Sequence, residues 1–284
     1  MRAYVPDYDL VASAALSDAL ALVAEGRRPI AGGTDLMVLF EAGKLPYRRL
    51  VSLHAIAELR EVTANATHVT IGALATYTGI QEDEILRREF PLLVRAASWT
   101  GAVATQNRGT LAGNIANASP AADSPPALLV YDAEVELVSA RGSRWISYAA
   151  FHTDYKVTVM QPDEIIARIR LPRTTAGCVQ YLRKVGTRRA QAISKVALAG
   201  LAHVADGKLS RIRIALASVA PVPLRCLETE RLLERRRIDS ALIQDSREVL
   251  SGEIAPIDDI RSTRDYRSEV ARNLLAEFLE SVPS

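Results

Sequence analysis

Two adjacent glycines are the first residues in this chain whose type and spacing suggest chemistry. They belong to the segment 29–36, which follows a helix-like pattern and precedes an apolar run, so it predicts a strand entering a tight loop. Gly32 and Gly33 leave consecutive backbone N–H groups open to a ligand, and Thr34 adds a hydroxyl. This chemistry suits a bound diphosphate. Because Gly-Gly also marks ordinary turns, the residues alone leave the two interpretations equal.

A second candidate is the segment 106–126, which is crowded with small residues, amides and hydroxyls and is poor in charge. Small residues let a backbone approach a ligand closely, while Thr110, Asn114 and Asp123 offer hydrogen bonds. A long surface loop is the alternative, but such loops normally carry more Lys and Glu. We therefore predict that this segment is a binding loop.

The elements that must position these segments fall into two halves. The chain has 284 residues, enough for roughly two domains. Strands alternate with helices in the first half, with helices predicted at 17–26 (Ser17 as N-cap) and 90–98, which indicates α/β layering. The second half shows strands and then helices, an α+β pattern, with its clearest hairpin signal at Asp206-Gly207. The best candidate boundary is 173–177.

Composition excludes several classes of protein. A net charge of +2 gives no support for nucleic-acid binding. The two cysteines, Cys178 and Cys226, cannot supply the four thiolates of an iron–sulfur cluster, and the four histidines are scattered, so no metal site is predicted. No signal peptide is evident and no apolar run approaches about 18 residues, so we expect a cytoplasmic chain without a membrane segment.

Four ordered motifs extend over much of the chain: PIAGGTDL (29–36), RGTLAGNIANASPAAD (108–123), FHTDYKVTVMQPDEIIARIRLP (151–172) and YLRKVGTRRAQAISKVALAG (181–200). Together they resemble a known family, the FAD-binding subunits of molybdenum hydroxylases. That family includes subunits of xanthine, carbon monoxide and aldehyde dehydrogenases and of 4-hydroxybenzoyl-CoA reductases. The motif that begins FHT and the segment 217–226 look most like bacterial xanthine dehydrogenase subunits.

The resemblance implies an α+β fold in two parts. Residues 1–175 would form an α/β-type, two-lobed FAD-binding domain of the vanillyl-alcohol-oxidase or PCMH type. Residues 176–284 would form a smaller α+β domain like the C-terminal domain of carbon monoxide dehydrogenase flavoproteins. This division agrees with the two halves identified above.

The resemblance also implies a role for particular residues. The segment Ile30 to Leu36 would wrap the FAD diphosphate, and the Thr110 to Asn114 loop would hold the other side of the cofactor. Asp123 would accept hydrogen bonds from polar groups of FAD. The full set of expected cofactor residues is Pro29, Ile30, Ala31, Gly32, Gly33, Thr34, Asp35, Leu36, Thr110, Leu111, Ala112, Gly113, Asn114, Asp123, Ile166 and Lys184.

Two further residues would act at the flavin ring itself. Tyr155 matches a tyrosine over the isoalloxazine face, where it would gate the approach of nicotinamide. Lys195 matches a lysine near the ring, where a cation would stabilise the anionic reduced flavin. On the bare sequence, Lys184 and Lys195 also fit ordinary strand lysines, and Tyr155 fits a packing residue.

The chain departs from the family pattern at a few positions. Ala112 replaces the first of two glycines, so its backbone must avoid a positive φ. Asp154-Tyr155-Lys156 replaces a commoner Gly-Tyr-Arg, which alters the loop that carries the tyrosine. Asp35 could equally cap the following helix, and Met37, Val38 and Leu39 are expected to be core residues.

From these observations we hypothesise that the chain is an electron-transfer flavoprotein subunit. A large molybdopterin subunit would oxidise a purine or related heterocycle, and a small subunit with two [2Fe-2S] clusters would relay electrons. This chain would pass them through FAD to NAD+ or another acceptor, in a dimer of heterotrimers. The alternatives are a carbon monoxide or aldehyde dehydrogenase subunit, a stand-alone flavin oxidase, and a non-catalytic assembly module.

Overall fold

The computed structural model describes residues 7–188 and 191–283, so Arg189 and Ala190 of the fourth motif lie outside the described residues. Strands and helices are interspersed along the chain. The strands are β1 Asp9–Ala12, β2 Arg28–Ile30, β3 Arg49–Ser52, β4 Val62–Ala64, β5 His68–Gly72, β6 Glu134–Ser139, β7 Gly142–Ser147, β8 His152–Asp154, β9 Val157–Thr158, β10 Ile165–Pro172, β11 Val179–Val185, β12 Val196–Ala205, β13 Lys208–Ala217 and β14 Leu224–Arg225. The helices are α1 Leu16–Ala24, α2 Leu36–Glu41, α3 Tyr77–Glu82, α4 Glu84–Glu89, α5 Pro91–Trp99, α6 Val103–Gln106, α7 Leu111–Asn117, α8 Ser124–Val130, α9 Leu227–Leu233, α10 Ser240–Glu253 and α11 Arg264–Glu280.

The chain opens with a small parallel sheet in the order β1-β3-β2. Helix α1 crosses over between β1 and β2 and buries Ala19, Leu20 and Val23. The predicted Ser17 cap is wrong: α1 begins after Ala15, and Ser17 lies in its first turn. The burial of the apolar face of α1, rather than a side-chain cap, sets where this helix begins.

A five-stranded antiparallel sheet follows, in the order β4-β5-β10-β6-β7. Its β6 and β7 form a hairpin that turns at Arg141, and β10 ends at Pro172. The parallel pairing expected from the α/β pattern is confined to the small first sheet. In the five-stranded sheet the neighbouring strands are antiparallel, and they are connected either by hairpins or by long stretches of intervening chain.

About half of the segment 106–126 is helical, so its prediction as a binding loop is wrong in form. Thr110 begins α7, where its Oγ1 accepts a hydrogen bond from the amide of Gly113 at 3.1 Å. Pro125 stands in the first turn of α8, where its missing N–H costs little. Small residues that suit a binding loop also fit where helices pack closely.

The C-terminal sheet, in the order β11-β12-β13-β14, is covered on both faces. Along β12, Ala199 and Leu201 join the large N-terminal core, while Leu198 and Ala202 join the core under the C-terminal helices. This alternation follows from the two-residue period of a strand. The division of the chain after residue 175 stays a prediction, since this sheet serves both cores.

Helices α9 to α11 close the outer face of that sheet. Gly200 packs closely against α11, since a Cβ there would lie 2.6 Å from ring atoms of Phe278. The predicted α+β fold is therefore confirmed. Among residues 7–188 and 191–283, every helix is too short or too polar to cross a lipid bilayer.

Candidate functional site

The glycine loop joins β2 to α2 and lies against the loop that precedes α7. A Cβ on Gly32 would stand 1.9 Å from the carbonyl oxygen of Arg108, and Gly33 adopts a left-handed backbone with φ +74°. In the described part of the chain, the amides of Gly32, Gly33 and Thr34 donate to no protein acceptor. Three consecutive free amides are the kind of donor set that can bind a diphosphate.

The first turn of α7 forms the opposite side of this site. The amide of Leu111 donates to the carbonyl of Ala75 at 3.1 Å, which fixes the start of the helix. Ala112 lies inside α7 with an ordinary helical backbone, so the alanine that replaces a family glycine is tolerated without strain. Asn114 Oδ1 is buried and has no partner among the described residues, as expected of a group that awaits a ligand donor.

Asp35 connects the two sides of the site. Its Oδ1 accepts a hydrogen bond from Asn117 Nδ2 at 3.0 Å, and it does not cap α2, so the capping interpretation is wrong. Burial raises the pKa of the Asp35 carboxyl, and the ammonium of Lys156 acts in the opposite direction. The Asp35 carboxylate therefore links the glycine loop to α7 and does not cap α2.

Tyr77 is a buried site residue that the sequence does not reveal. Burial raises the pKa of its hydroxyl, the carboxylates of Asp35 and Asp123 add to this, and the Ser124 and Thr100 hydroxyls oppose it. The Tyr77 hydroxyl thus lies within electrostatic range of both predicted carboxylates. In the sequence, Tyr77 follows the N-cap Thr76 and looks like an ordinary residue at the start of a helix. Its position near the two carboxylates is therefore visible only in the folded chain.

Asp123 is held by residues from the other half of the chain. Lys184 Nζ lies 2.7 Å from its Oδ2, and Ser194 Oγ donates to its Oδ1 at 2.8 Å. Burial raises the pKa of the Asp123 carboxyl, whereas Lys184 and Ser194 act to lower it. The structure thus unites the predicted Asp123 and Lys184, and it adds Ser194, which sequence inspection missed within the fourth motif.

The Tyr155 loop is the turn of a small hairpin between β8 and β9. Tyr155 is 59% exposed, and its amide donates to Asp154 Oδ1 at 2.6 Å. Lys156, which replaces the family arginine, takes the left-handed backbone at φ +56°. Since Lys156 acts on the carboxyl of Asp35, this hairpin lies beside the glycine loop.

Two predicted residues lie at the margin of this cluster. Ile166 on β10 is buried in the N-terminal core. Lys195 follows Ser194 in the chain, but its ammonium lies 4.9 Å from the ring centroid of Tyr266 on α11. Their contacts with a cofactor stay predictions.

Helix α2 departs most clearly from expectation. Met37, Val38 and Leu39 were predicted to be core, yet they are between 39% and 66% exposed. The prediction is wrong because α2 is a single short helix that lies outside the small sheet, where Phe40 packs against the tilted ring of Tyr8 at a centroid distance of 5.2 Å.

Comparison with known proteins shows the family of the chain. Residues 6–174 match the family profile described as the FAD binding domain in molybdopterin dehydrogenase. Residues 181–282 match the CO dehydrogenase flavoprotein C-terminal domain. The chain therefore belongs to the family of FAD-binding subunits of molybdenum hydroxylases, and it is an oxidoreductase subunit.

Individual relatives extend over nearly the whole chain. The xanthine dehydrogenase FAD-binding subunit of Escherichia coli O157:H7 is 30% identical over 273 residues, covering 94% of this chain and 93% of that protein. The glyceraldehyde dehydrogenase medium chain of Sulfolobus acidocaldarius is 28% identical over 281 residues, covering 98% and 99%. A solved carbon monoxide dehydrogenase from Hydrogenophaga pseudoflava, which lacks the Mo-pyranopterin moiety of its molybdenum cofactor, matches with a TM-score of 0.94 at 25% identity and 98% coverage of both chains.

The donors present fit FAD. The free amides of the glycine loop suit its diphosphate, and the buried, unpartnered Asn114 Oδ1 suits a polar hydrogen of the cofactor. Asp123 is kept in place by two side chains and can accept a further hydrogen bond.

Proposed function

We propose that this chain is the electron-relay subunit of a xanthine dehydrogenase-like complex. It would receive electrons from [2Fe-2S] clusters of a small partner subunit and deliver them through FAD to NAD+. A large molybdopterin subunit would oxidise the purine-like substrate, and two such heterotrimers would associate. The similarity to a xanthine dehydrogenase FAD-binding subunit over 94% of this chain supports the choice of complex.

One observation carries the proposal: the glycine loop, the start of α7 and Asp123 lie around one site, although they come from distant parts of the sequence. Asn117 bonds Asp35 at 3.0 Å, and Gly32 abuts Arg108. These contacts hold the glycine loop against α7 and the loop before it, which reduces the ordering that cofactor binding must impose.

We assign the residues the following roles. The amides of Gly32, Gly33 and Thr34 bind the diphosphate, and the Thr110–Asn114 turn and Asp123 bind polar groups of FAD. Tyr155, on its exposed hairpin, gates access of the acceptor, and Lys195 supplies positive charge near the ring. Bound FAD supplies the redox chemistry that no side chain of this chain offers.

Three finer assignments accompany this function. The cofactor domain ends at residue 175, the complex is a dimer of heterotrimers, and it works in the cytoplasm. The boundary is supported by the two family matches, which leave residues 175–180 between them. A carbon monoxide or aldehyde dehydrogenase complex is the second candidate, favoured by the glyceraldehyde dehydrogenase relative that covers 98% of this chain.

The test uses the purified chain, titrated first with FAD and then, without oxygen, with NADH. We expect one FAD to bind and NADH to bleach its visible absorption band. Tyr155→Ala is expected to change the rate of bleaching while leaving the FAD dissociation constant within about twofold, since an exposed side chain contributes little to the fold. Failure to bind FAD would overturn the proposal. Binding without reduction by NADH would overturn only the assignment of NAD+ as acceptor.

A further inference from the structure

Ser218 has an unusual backbone for its surroundings. It follows the last residue of β13, is buried, and adopts a left-handed conformation with φ +67°. Residues other than glycine rarely take this conformation, and they keep it where surrounding contacts fix them there. Surrounding contacts must therefore hold Ser218 in this conformation.

Every polar group of Ser218 is engaged. Its amide donates to the carbonyl of Pro120 at 2.8 Å, and its Oγ donates to the carbonyl of Ser194 at 2.9 Å. Its carbonyl accepts a hydrogen bond from Arg267 Nη1 at 2.9 Å. One residue thus joins the N-terminal half, the start of β12 and the last helix.

Two of these contacts lead to the same carboxylate. Pro120 lies three residues before Asp123 in the chain, and Ser194 donates its own Oγ to Asp123 Oδ1 at 2.8 Å. Ser218 therefore fixes the backbone on both sides of the Asp123–Ser194 hydrogen bond. A shift of Ser218 would move the donor and the acceptor of that bond relative to each other.

Arg267 holds Ser218 in turn. It is buried, and its Nη2 lies 2.7 Å from Asp259 Oδ1. Although burial acts against it, hydrogen bonds from the Arg261 amide and from Arg267 lower the pKa of Asp259 to about 2. The guanidinium therefore keeps a charged partner at neutral pH and remains directed at the Ser218 carbonyl.

We propose that Ser218, held by Arg267, is a positioning residue that orients Asp123 for FAD, so that cofactor affinity depends on how the C-terminal half docks. This inference rests on the proposed function, because it assigns Asp123 to the FAD site. Ser218 itself acts through Ser194 and Pro120.

The experiment measures the FAD dissociation constant and the Tm of the cofactor-free full chain. Ser218→Ala removes one buried hydroxyl bond, and Ser246→Ala is the matched control, since its Oγ donates to the Ile243 carbonyl at 2.8 Å within α10. We expect Ser218→Ala to weaken FAD binding about fivefold and Ser246→Ala to leave it within about twofold, with similar losses of Tm. Equal FAD affinities for the two variants would overturn the inference.

A double-mutant cycle tests whether the effect passes through Asp123. In an Asp123→Asn background, Ser218→Ala is expected to weaken FAD binding by less than about twofold, although it still lowers Tm. Full additivity in FAD affinity would overturn the inference. Arg267→Met is expected to weaken binding as Ser218→Ala does, and Arg267→Lys to restore part of it. If the wild-type chain binds no FAD, the proposed function fails, and this inference fails with it.

Discussion

Gly32 packs on the carbonyl of Arg108 so closely that a Cβ would lie 1.9 Å from the oxygen. The contact is between two backbones, so a flexible side chain cannot move aside to relieve it. The two loops of the proposed cofactor site can therefore approach this closely because residue 32 has no side chain.

Gly32→Ala is expected to separate these two loops. We predict that it lowers the free energy of unfolding by about 1–3 kcal/mol, because it overpacks a rigid contact, and that it abolishes FAD binding. Urea unfolding and FAD titration measure the two effects. Gly252→Ala is the control, since a Cβ there meets nothing within 4 Å and the residue lies in α10. Unchanged FAD affinity in Gly32→Ala would show that the two loops do not form one site.

The Lys184–Asp123 pair is buried, with side chains 11% and 10% exposed. Lys184→Met is expected to cost about 3 kcal/mol of unfolding free energy, because it leaves a buried carboxylate without its charged partner. Adding Asp123→Asn should recover part of that loss. The neighbouring Arg183→Met is the control, since Arg183 pairs with Glu277 in solvent and should cost at most about 1 kcal/mol. Equal losses for the two variants would contradict the prediction.

His152 predicts a specific dependence of stability on pH. Burial lowers its pKa from 6.5 to about 4 in the folded chain, so the unfolded chain binds a proton first as pH falls. This contribution to stability is present above pH 6.5 and is lost as pH falls toward about 4. Because His152 keeps part of its surface in water, we expect a loss of about 2 kcal/mol.

The measurement compares wild type with His152→Gln by urea unfolding across this pH range. The wild-type chain should lose about 2 kcal/mol more than the variant, since glutamine does not titrate. The variant His54→Gln, at an exposed position, serves as the surface control. A difference between wild type and His152→Gln that is constant with pH would contradict the assignment.

Gly200→Ala is expected to disturb the outer core. A Cβ at this position would stand 2.6 Å from the Phe278 ring, so we predict a loss of about 1–3 kcal/mol in unfolding free energy. Phe278→Leu in the same variant should restore part of the loss by vacating that space. If the double variant is no more stable than Gly200→Ala, the ring is not the source of the strain.

Local patterns predicted many of the elements in this chain. The β6–β7 hairpin, the Asp206-Gly207 turn and the start of α5 at Pro91 follow from turn and helix preferences that act over a few residues. The Ser17 cap and the buried α2 were predicted on the same basis and are wrong. The burial of the apolar face of α1 outweighed the cap, whereas α2 lies outside the small sheet and keeps its apolar residues exposed.

The sequence alone determined the family, the glycine loop, Asp123 and Lys184, because each is carried by a motif of contiguous residues. Only the tertiary structure decided that Tyr77 lies near Asp35 and Asp123, that Asn117 bonds Asp35, and that Ser218 bonds both Pro120 and Ser194. These relations connect residues separated by many positions along the chain. They depend on the burial and packing of whole sheets and helices, and a short motif does not specify how those elements pack.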